Sequence, residues 1–176
     1  MKTIQNTTIL VFLLVFNSIL YGGERIKLTI LHTNDTHSQI EPTEKSNFPT
    51  SDRGGYARRM GVIQQIRLQN ENVLLFDAGD FWQGTPYFNF YNGRIEVNGM
   101  NRMKYDAVTL GNHEFDNGID TMAAILKNAR FPVLTSNYQM DSTAMATLVK
   151  PYLIIRKAGL KIGVMALNVN PKGLIF

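Results

Sequence analysis

Three short groups of residues carry side chains that could bind metals or transfer protons. They are Asp35 with His37, then Asp80, then Asn112 with His113. Carboxylate, imidazole and amide groups all bind divalent cations, and a carboxylate can bridge two cations because it has two oxygens. A histidine can also donate a proton or stabilise negative charge. The three groups together allow a metal-dependent reaction, although each alone is more often a turn or a surface site.

Two acidic residues stand beside the third group. Asp116 follows His113 by three residues. It could orient the imidazole ring and raise its pKa, or it could cap a nearby helix, and the two roles are compatible. Glu114 lies between them and is assigned no role from the sequence.

The three groups must be positioned by the elements that precede them. Apolar runs and alternating patterns predict six strands, over residues 26–31, 73–76, 106–110, 132–137, 152–156 and 161–167. A loop is predicted over 38–55, and helices over residues 56–69, 95–103 and 119–129. Strands alternating with helices predict an α/β domain with a mostly parallel or mixed sheet. Because ligands bind at the carboxyl ends of strands in such sheets, the three groups should converge.

The composition limits the classes of function. The 176 residues suit one globular domain, with 44% hydrophobic and 18% charged residues. The net charge is +4 and the basic residues are scattered, so a nucleic-acid partner is not expected. There is no cysteine, which excludes disulfides, thiolate metal sites and cysteine nucleophiles. Any metal must therefore be held by nitrogen and oxygen ligands.

Residues 1–23 have the order of a secretory signal peptide. Lys2 is followed by an apolar run over residues 9–16 and by the small residues Ser18, Gly22 and Gly23. The run is shorter than the 18 or more residues that a membrane-spanning helix requires. A buried N-terminal helix and an uncleaved membrane anchor are the alternatives. We expect an exported protein, periplasmic or secreted, with no stable membrane span after cleavage.

The motifs, taken in order, resemble those of the calcineurin-like metallophosphoesterases. They are Asp35-x-His37, Gly79-Asp80 and Gly111-Asn112-His113-Glu114. The sequences of residues 31–37 and 111–116 more specifically resemble the N-terminal catalytic domain of the 5'-nucleotidase and UDP-sugar hydrolase branch. The similarity extends over residues 26–167. It implies a layered β-sheet core with flanking helices, incomplete at its C-terminal side.

The resemblance also implies roles for the site residues and two divalent metal cofactors such as Zn²⁺ or Mn²⁺. The implied ligands are Asp35 and His37 at the first metal, Asp80 between the two metals, and Asn112 at the second. His113 would stabilise the transition state or the leaving group, oriented by Asp116. Two cations about 3.5–4 Å apart would bind the phosphoryl oxygens and activate a water molecule. The implied reaction converts a nucleotide to a nucleoside and phosphate.

The sequence departs from this family in its histidines. Family members add three histidines from later loops and a C-terminal domain that holds the nucleoside, whereas this sequence has only His32, His37 and His113. We expect residues 24–176 to be the N-terminal part of the domain, with little or no activity by themselves. The alternatives are a non-catalytic remnant with weak or no metal binding, and a same-fold hydrolase of cyclic nucleotides or other esters. No substrate-binding residue is assigned, and the aromatic stretch 81–88 is more typical of core packing than of base stacking.

Overall fold

The computed structural model of the protein describes residues 25–170 and 172–173. The predicted signal peptide, residues 1–23, lies outside the described residues. Within the described ranges, no helix has both the length and the apolar character that crossing a membrane requires.

Five parallel strands form the central sheet, in the order β1-β2-β3-β4-β5. They are β1 Thr29–Thr33, β2 Val73–Asp77, β3 Ala107–Thr109, β4 Val133–Leu134 and β5 Val149–Lys150. Every residue of β2 except Phe76 is buried. The continuous apolar run in the sequence had predicted such a strand, covered on both faces. The parallel α/β arrangement expected from the sequence is confirmed.

Four α-helices connect these strands in the described part of the chain. They are α1 Tyr56–Gln69, α2 Pro86–Tyr91, α3 Arg94–Met103 and α4 Ile119–Leu126. α1 has the predicted bounds, whereas α4 ends three residues before the predicted position. α2 was not predicted from the sequence, because the aromatic residues of this helix lie between glycines and such a pattern is typical of a loop. Its start does carry a helix signal, since Pro86 occupies the first turn, where the missing N–H costs nothing.

Several predicted strands have different bounds in the structure, and one strand was missed; the strands predicted over 106–110 and 161–167 are Ala107–Thr109 and Leu160–Met165. β1 begins three residues later than expected and continues to Thr33. The strand predicted over 132–137 contains only Val133 and Leu134, and after Thr135 the chain turns: the Ser136 amide donates to Ala166 O at 2.8 Å instead of to β5. β5 has two residues, too few for an alternating pattern to reveal it.

The sheet lies between two apolar layers. Leu75, Val108 and Val133 face the larger core, which the helices complete. The neighbouring residues Ala107 and Leu134 face the other side, as alternation along a strand requires, and join a smaller core. That side is covered by an antiparallel hairpin, β6 Tyr152–Lys157 and β7 Leu160–Met165, at the position that the sequence predicted. The layered core with flanking helices is therefore confirmed.

Candidate metal centre

The loops that follow β1, β2 and β3 are joined to one another at the carboxyl ends of these strands. The amide of Asp35 donates to Gly79 O at 2.9 Å, and the amide of His37 donates to Asp80 O at 3.0 Å. The amide of His113 donates to the Asp80 side chain, at 3.1 Å from Oδ1. The three groups selected from the sequence therefore lie in one connected set of loops.

Three side chains of these loops point at a common space. One donor atom from each of His37, Asp80 and His113 lies within 4.8 Å of the other two. Asp35 lies beside them, with Oδ1 3.9 Å from His37 Nε2. Its Oδ2 accepts a hydrogen bond of 2.6 Å from Asn34. Nitrogen and oxygen donors at this spacing fit a divalent cation such as Zn²⁺ or Mn²⁺.

Asn112 occupies the loop between Gly111 and His113. Its backbone is helical, and its carbonyl accepts the amide of Phe115 at 3.1 Å, which begins a short 3₁₀ helix over His113–Phe115. The sequence did not predict this helix, which turns the chain so that His113 is carried back toward Asp80. The assignment of Asn112 to a second metal stays a prediction.

Three of the candidate ligands have a left-handed backbone. The φ angles of Asp35, His37 and Asp80 are 50°, 41° and 54°. Residues with a Cβ rarely adopt this conformation, at a cost of about 1–3 kcal/mol each; such residues cluster at binding and catalytic sites, and they also occur at helix ends, as Asn92 and Lys104 do here. The hydrogen bonds between the loops stabilise these conformations and orient the side chains toward one another.

Two glycines of the motifs allow the loops to approach closely. A Cβ on Gly79 would stand 2.4 Å from Gly111 N, and a Cβ on Gly111 would stand 2.0 Å from Asp80 Oδ1. Both distances are far below van der Waals contact. Glycine is therefore required at each position if the second and third loops are to touch.

His113 is oriented by Asp116, as expected from the sequence. Its Nδ1 lies 2.9 Å from Asp116 Oδ2. Partial burial lowers the pKa of His113. The hydrogen bond and negative charge of Asp116, together with the charge of Asp80, raise the pKa by more than burial lowers it, so the pKa lies above its ordinary value. The alternative of helix capping is wrong, because the N-cap of α4 is Gly118.

Asp77 was not selected from the sequence. It is buried, its Oδ1 accepts the amide of Gly79 at 2.9 Å, and its Oδ2 accepts the hydroxyl of Thr33 at 2.5 Å. Burial raises the pKa of Asp77 to about 6, and these two hydrogen bonds oppose the rise. Asp77 thus supports the backbone immediately before Asp80.

Glu114 was also left without a role, and it is fully buried. Burial raises the pKa of this carboxyl to about 8, and the amides of Gly111, Trp82 and Asp80 oppose the rise by hydrogen bonding to it. Glutamate is rarely found fully buried unless it is paired, and the sequence alone did not distinguish Glu114 from a surface acid. Only the folded loops reveal its surroundings.

Three of the four aromatic rings of residues 81–88 pack in the core, as their residue types favoured, whereas Tyr87 hydrogen-bonds to Glu41 at the surface. Phe81 and Trp82 are buried and contact each other edge to face, with ring centroids 5.5 Å apart. Phe88 of α2 packs against Trp82 at 6.0 Å. These three rings anchor the segment that follows Asp80.

Comparison with known proteins gives consistent relatives. The sequence model of calcineurin-like phosphoesterases matches residues 28–170. A snake venom 5'-nucleotidase from Naja atra is 44% identical over 146 residues, which cover 79% of this chain and 28% of that protein. The 5'-nucleotidase precursor of Thermus thermophilus has a TM-score of 0.74 and 38% identity, covering 80% of this chain and 28% of that one. The NAD nucleotidase of Haemophilus influenzae has a TM-score of 0.75 and 33% identity, covering 84% of this chain and 27% of that one. The chain therefore spans less than a third of the length of these relatives.

Proposed function

This chain belongs to the calcineurin-like phosphoesterase family, whose members are metal-dependent phosphoesterases, and we propose that it forms the metal-binding part of an enzyme that hydrolyses nucleotides to nucleosides and phosphate. The resemblance inferred from the motifs is confirmed by the family match and by the 5'-nucleotidase relatives. The observation that carries the proposal is the convergence within 4.8 Å of two proposed metal ligands, His37 and Asp80, with the proposed proton donor His113.

The proposed ligands are those that the family resemblance implies, and the positions of Asp35, His37 and Asp80 support them. His37 and Asp35 would hold one cation, since their side chains lie 3.9 Å apart. Asp80 would bridge to a second cation, and Asn112 would contribute its amide oxygen there. When bound, two such cations would polarise the phosphoryl group and lower the pKa of a water molecule between them.

His113 is better suited to the phosphate than to a metal. Imidazole binds metals only in its neutral form, whereas the contact with Asp116 favours the protonated form. With Nδ1 engaged by Asp116 at 2.9 Å, the other ring nitrogen of His113 would donate a proton or a hydrogen bond to the phosphoryl or leaving-group oxygen. Asp116 would hold the ring in the required orientation.

The substrate class is proposed from the relatives. Their names include 5'-nucleotidases and an NAD nucleotidase, and each name specifies a nucleotide as the substrate. AMP is therefore the first substrate to assay, with NAD and a generic aryl phosphate as comparisons.

Export is proposed on the charged, apolar and small segments of residues 1–23. N-terminal sequencing of the protein recovered outside the cytoplasm tests it. We expect a mature start near residue 24, and a secreted or periplasmic product that begins at Met1 would contradict the proposal.

The function is tested by metal binding and by phosphate release. Isothermal titration with Mn²⁺ or Zn²⁺ should show binding that Asp80→Asn weakens at least tenfold, since Asp80 is proposed as the shared ligand. Asp120→Asn, on the exposed first turn of α4, is the matched control and should bind like the wild type. Residues 24–176 alone are expected to release little or no phosphate from AMP, and any release that is measured should require the metal and be lost in Asp80→Asn. Equal metal binding by the wild type and Asp80→Asn would refute the proposed site.

A further inference from the structure

The carboxylate of Glu114 joins the second and third loops of the site. Its Oε1 accepts the amides of Phe81 and Trp82 at 2.9 and 3.1 Å. Its Oε2 accepts the amides of Asp80 and Gly111 at 3.0 and 2.6 Å. The side chain is fully buried, so these four backbone groups form its polar surroundings.

This arrangement suits a support and not a reacting group. All four contacts are backbone N–H donors, and the two oxygens of the carboxyl group accept all of them, two at each oxygen. Without Glu114, these donors would be left unpaired in a buried site, which is costly. The left-handed backbone of Asp80, at φ 54°, would lose a hydrogen bond that holds it.

We propose that Glu114 is a positioning residue, which fixes Asp80 relative to His113 by tying residues 80–82 to Gly111. Its link to metal binding and hydrolysis rests on the proposed function. Asp77 completes the support, because it accepts the one remaining amide of the Asp80 turn, that of Gly79. Every amide from Gly79 to Trp82 is thus held by a buried carboxylate.

The chain offers a matched control for burial. Glu96 on α3 is also fully buried, but the amides of residues 79–82 and 111 are all taken by Asp77 and Glu114. Glu96→Gln therefore changes the same residue type at a buried position and leaves the acceptors of these five amides in place, although Glu96 lies near the Ser38 hydroxyl of the first loop. A general cost of replacing a buried glutamate would appear in both variants.

Glu114→Gln replaces one carboxylate oxygen by an NH₂ group, which would face two N–H donors. We expect hydrogen exchange to become about tenfold faster or more at one pair of amides, either Phe81 and Trp82 or Asp80 and Gly111. Exchange in the sheet, at Leu75, which donates to Asp106, should stay unchanged. Glu96→Gln should leave the loop amides protected as in the wild type.

Titration with Zn²⁺ gives the second measurement. Glu114→Gln should weaken binding about 10–100-fold, as loss of a group supporting a ligand does. Glu114→Asp keeps the charge but withdraws the carboxylate by one methylene, so it should weaken binding as well. Full rescue by Glu114→Asp would show that only the charge matters and would overturn the positioning role.

Two further outcomes would overturn the inference. One is that Glu114→Gln shows the same hydrogen-exchange rates and the same Zn²⁺ affinity as the wild type. The other is an equal loss of protection at Leu75, which would make Glu114 a residue of general stability; if Glu114→Gln fails to fold, Glu114→Asp serves for the same comparison. Should the wild type bind no Zn²⁺, the proposed function fails, while the exchange comparison still decides the role of Glu114.

Discussion

The carboxylate of Asp80 accepts the backbone amide of His113 through Oδ1, over a distance of 3.1 Å. This bond connects the side chain proposed to bridge two cations with the main chain of the residue proposed to meet the phosphate. A displacement of either loop therefore changes ligand geometry and proton-donor geometry together.

Gly111→Ala should damage this connection. The new Cβ would stand 2.0 Å from Asp80 Oδ1, so the loops would have to separate. We expect the free energy of unfolding to fall by about 1–3 kcal/mol, as for other overpacked sites, and Zn²⁺ affinity to fall at least tenfold. Urea unfolding and isothermal titration measure the two effects.

The control is Gly61→Ala in the middle of α1, where a Cβ meets nothing within 4 Å. This change should stabilise the protein by about 0.5–1 kcal/mol, because alanine has a higher helix propensity than glycine. Unchanged stability and affinity in Gly111→Ala would show that the loops have more room than the structure indicates.

Asp116→Asn should lower the pKa of His113 in the metal-free protein. The hydrogen bond of 2.9 Å and the charge of Asp116 stabilise the imidazolium, so removing the charge favours the neutral ring. NMR titration of the His113 ring protons measures the change, with Asp120→Asn as the control. An unchanged titration would contradict the role given to Asp116.

Asp77→Asn should change how stability depends on pH. The pKa of Asp77 is about 6 in the folded protein against an ordinary value of 3.8. Folding therefore favours the protonated form, and its contribution to stability is lost as pH rises from about 4 through 6. Asparagine is neutral throughout, and it can still accept from Gly79 and donate to Thr33.

The unfolding free energy of Asp77→Asn, relative to that of the wild type, should therefore rise by up to about 3 kcal/mol between pH 4 and pH 7. Urea unfolding across this range measures it, and Asp120→Asn should run parallel to the wild type. If the unfolding free energy of Asp77→Asn also changes with pH as that of the wild type does, Asp77 has an ordinary pKa in the folded protein.

Ala158→Asn should stabilise the hairpin. Ala158 and Gly159 form the two-residue turn between β6 and β7, with φ angles of 51° and 75°. Asparagine tolerates the left-handed conformation better than alanine, and Asn-Gly is a preferred pair in such turns. We expect a gain of about 1 kcal/mol in unfolding free energy. Gly159→Ala should do the opposite, and a neutral or destabilising Ala158→Asn would contradict this account of the turn.

The sequence predicted elements that carry their own periodicity. α1 and β2 appeared within one residue of their bounds because an amphipathic repeat and an apolar run define them locally. The meeting of His37, Asp80 and His113 followed from a general property of strand ends. The buried carboxylates of Asp77 and Glu114 were missed, because their burial depends on loops that are distant in sequence.

The register of the parallel sheet has a consequence for the kinetics of folding. Pairing of β1 with β2 joins Thr29 to Val73, whereas pairing of β6 with β7 joins Tyr152 to Met165 across a two-residue turn. Closing the long segment between β1 and β2 costs chain entropy before any strand contact forms, so the sheet should assemble slowly and the hairpin early. The loops that bear Asp35 and Asp80 can meet only after that slow step. Metal binding during refolding should therefore lag behind hairpin formation.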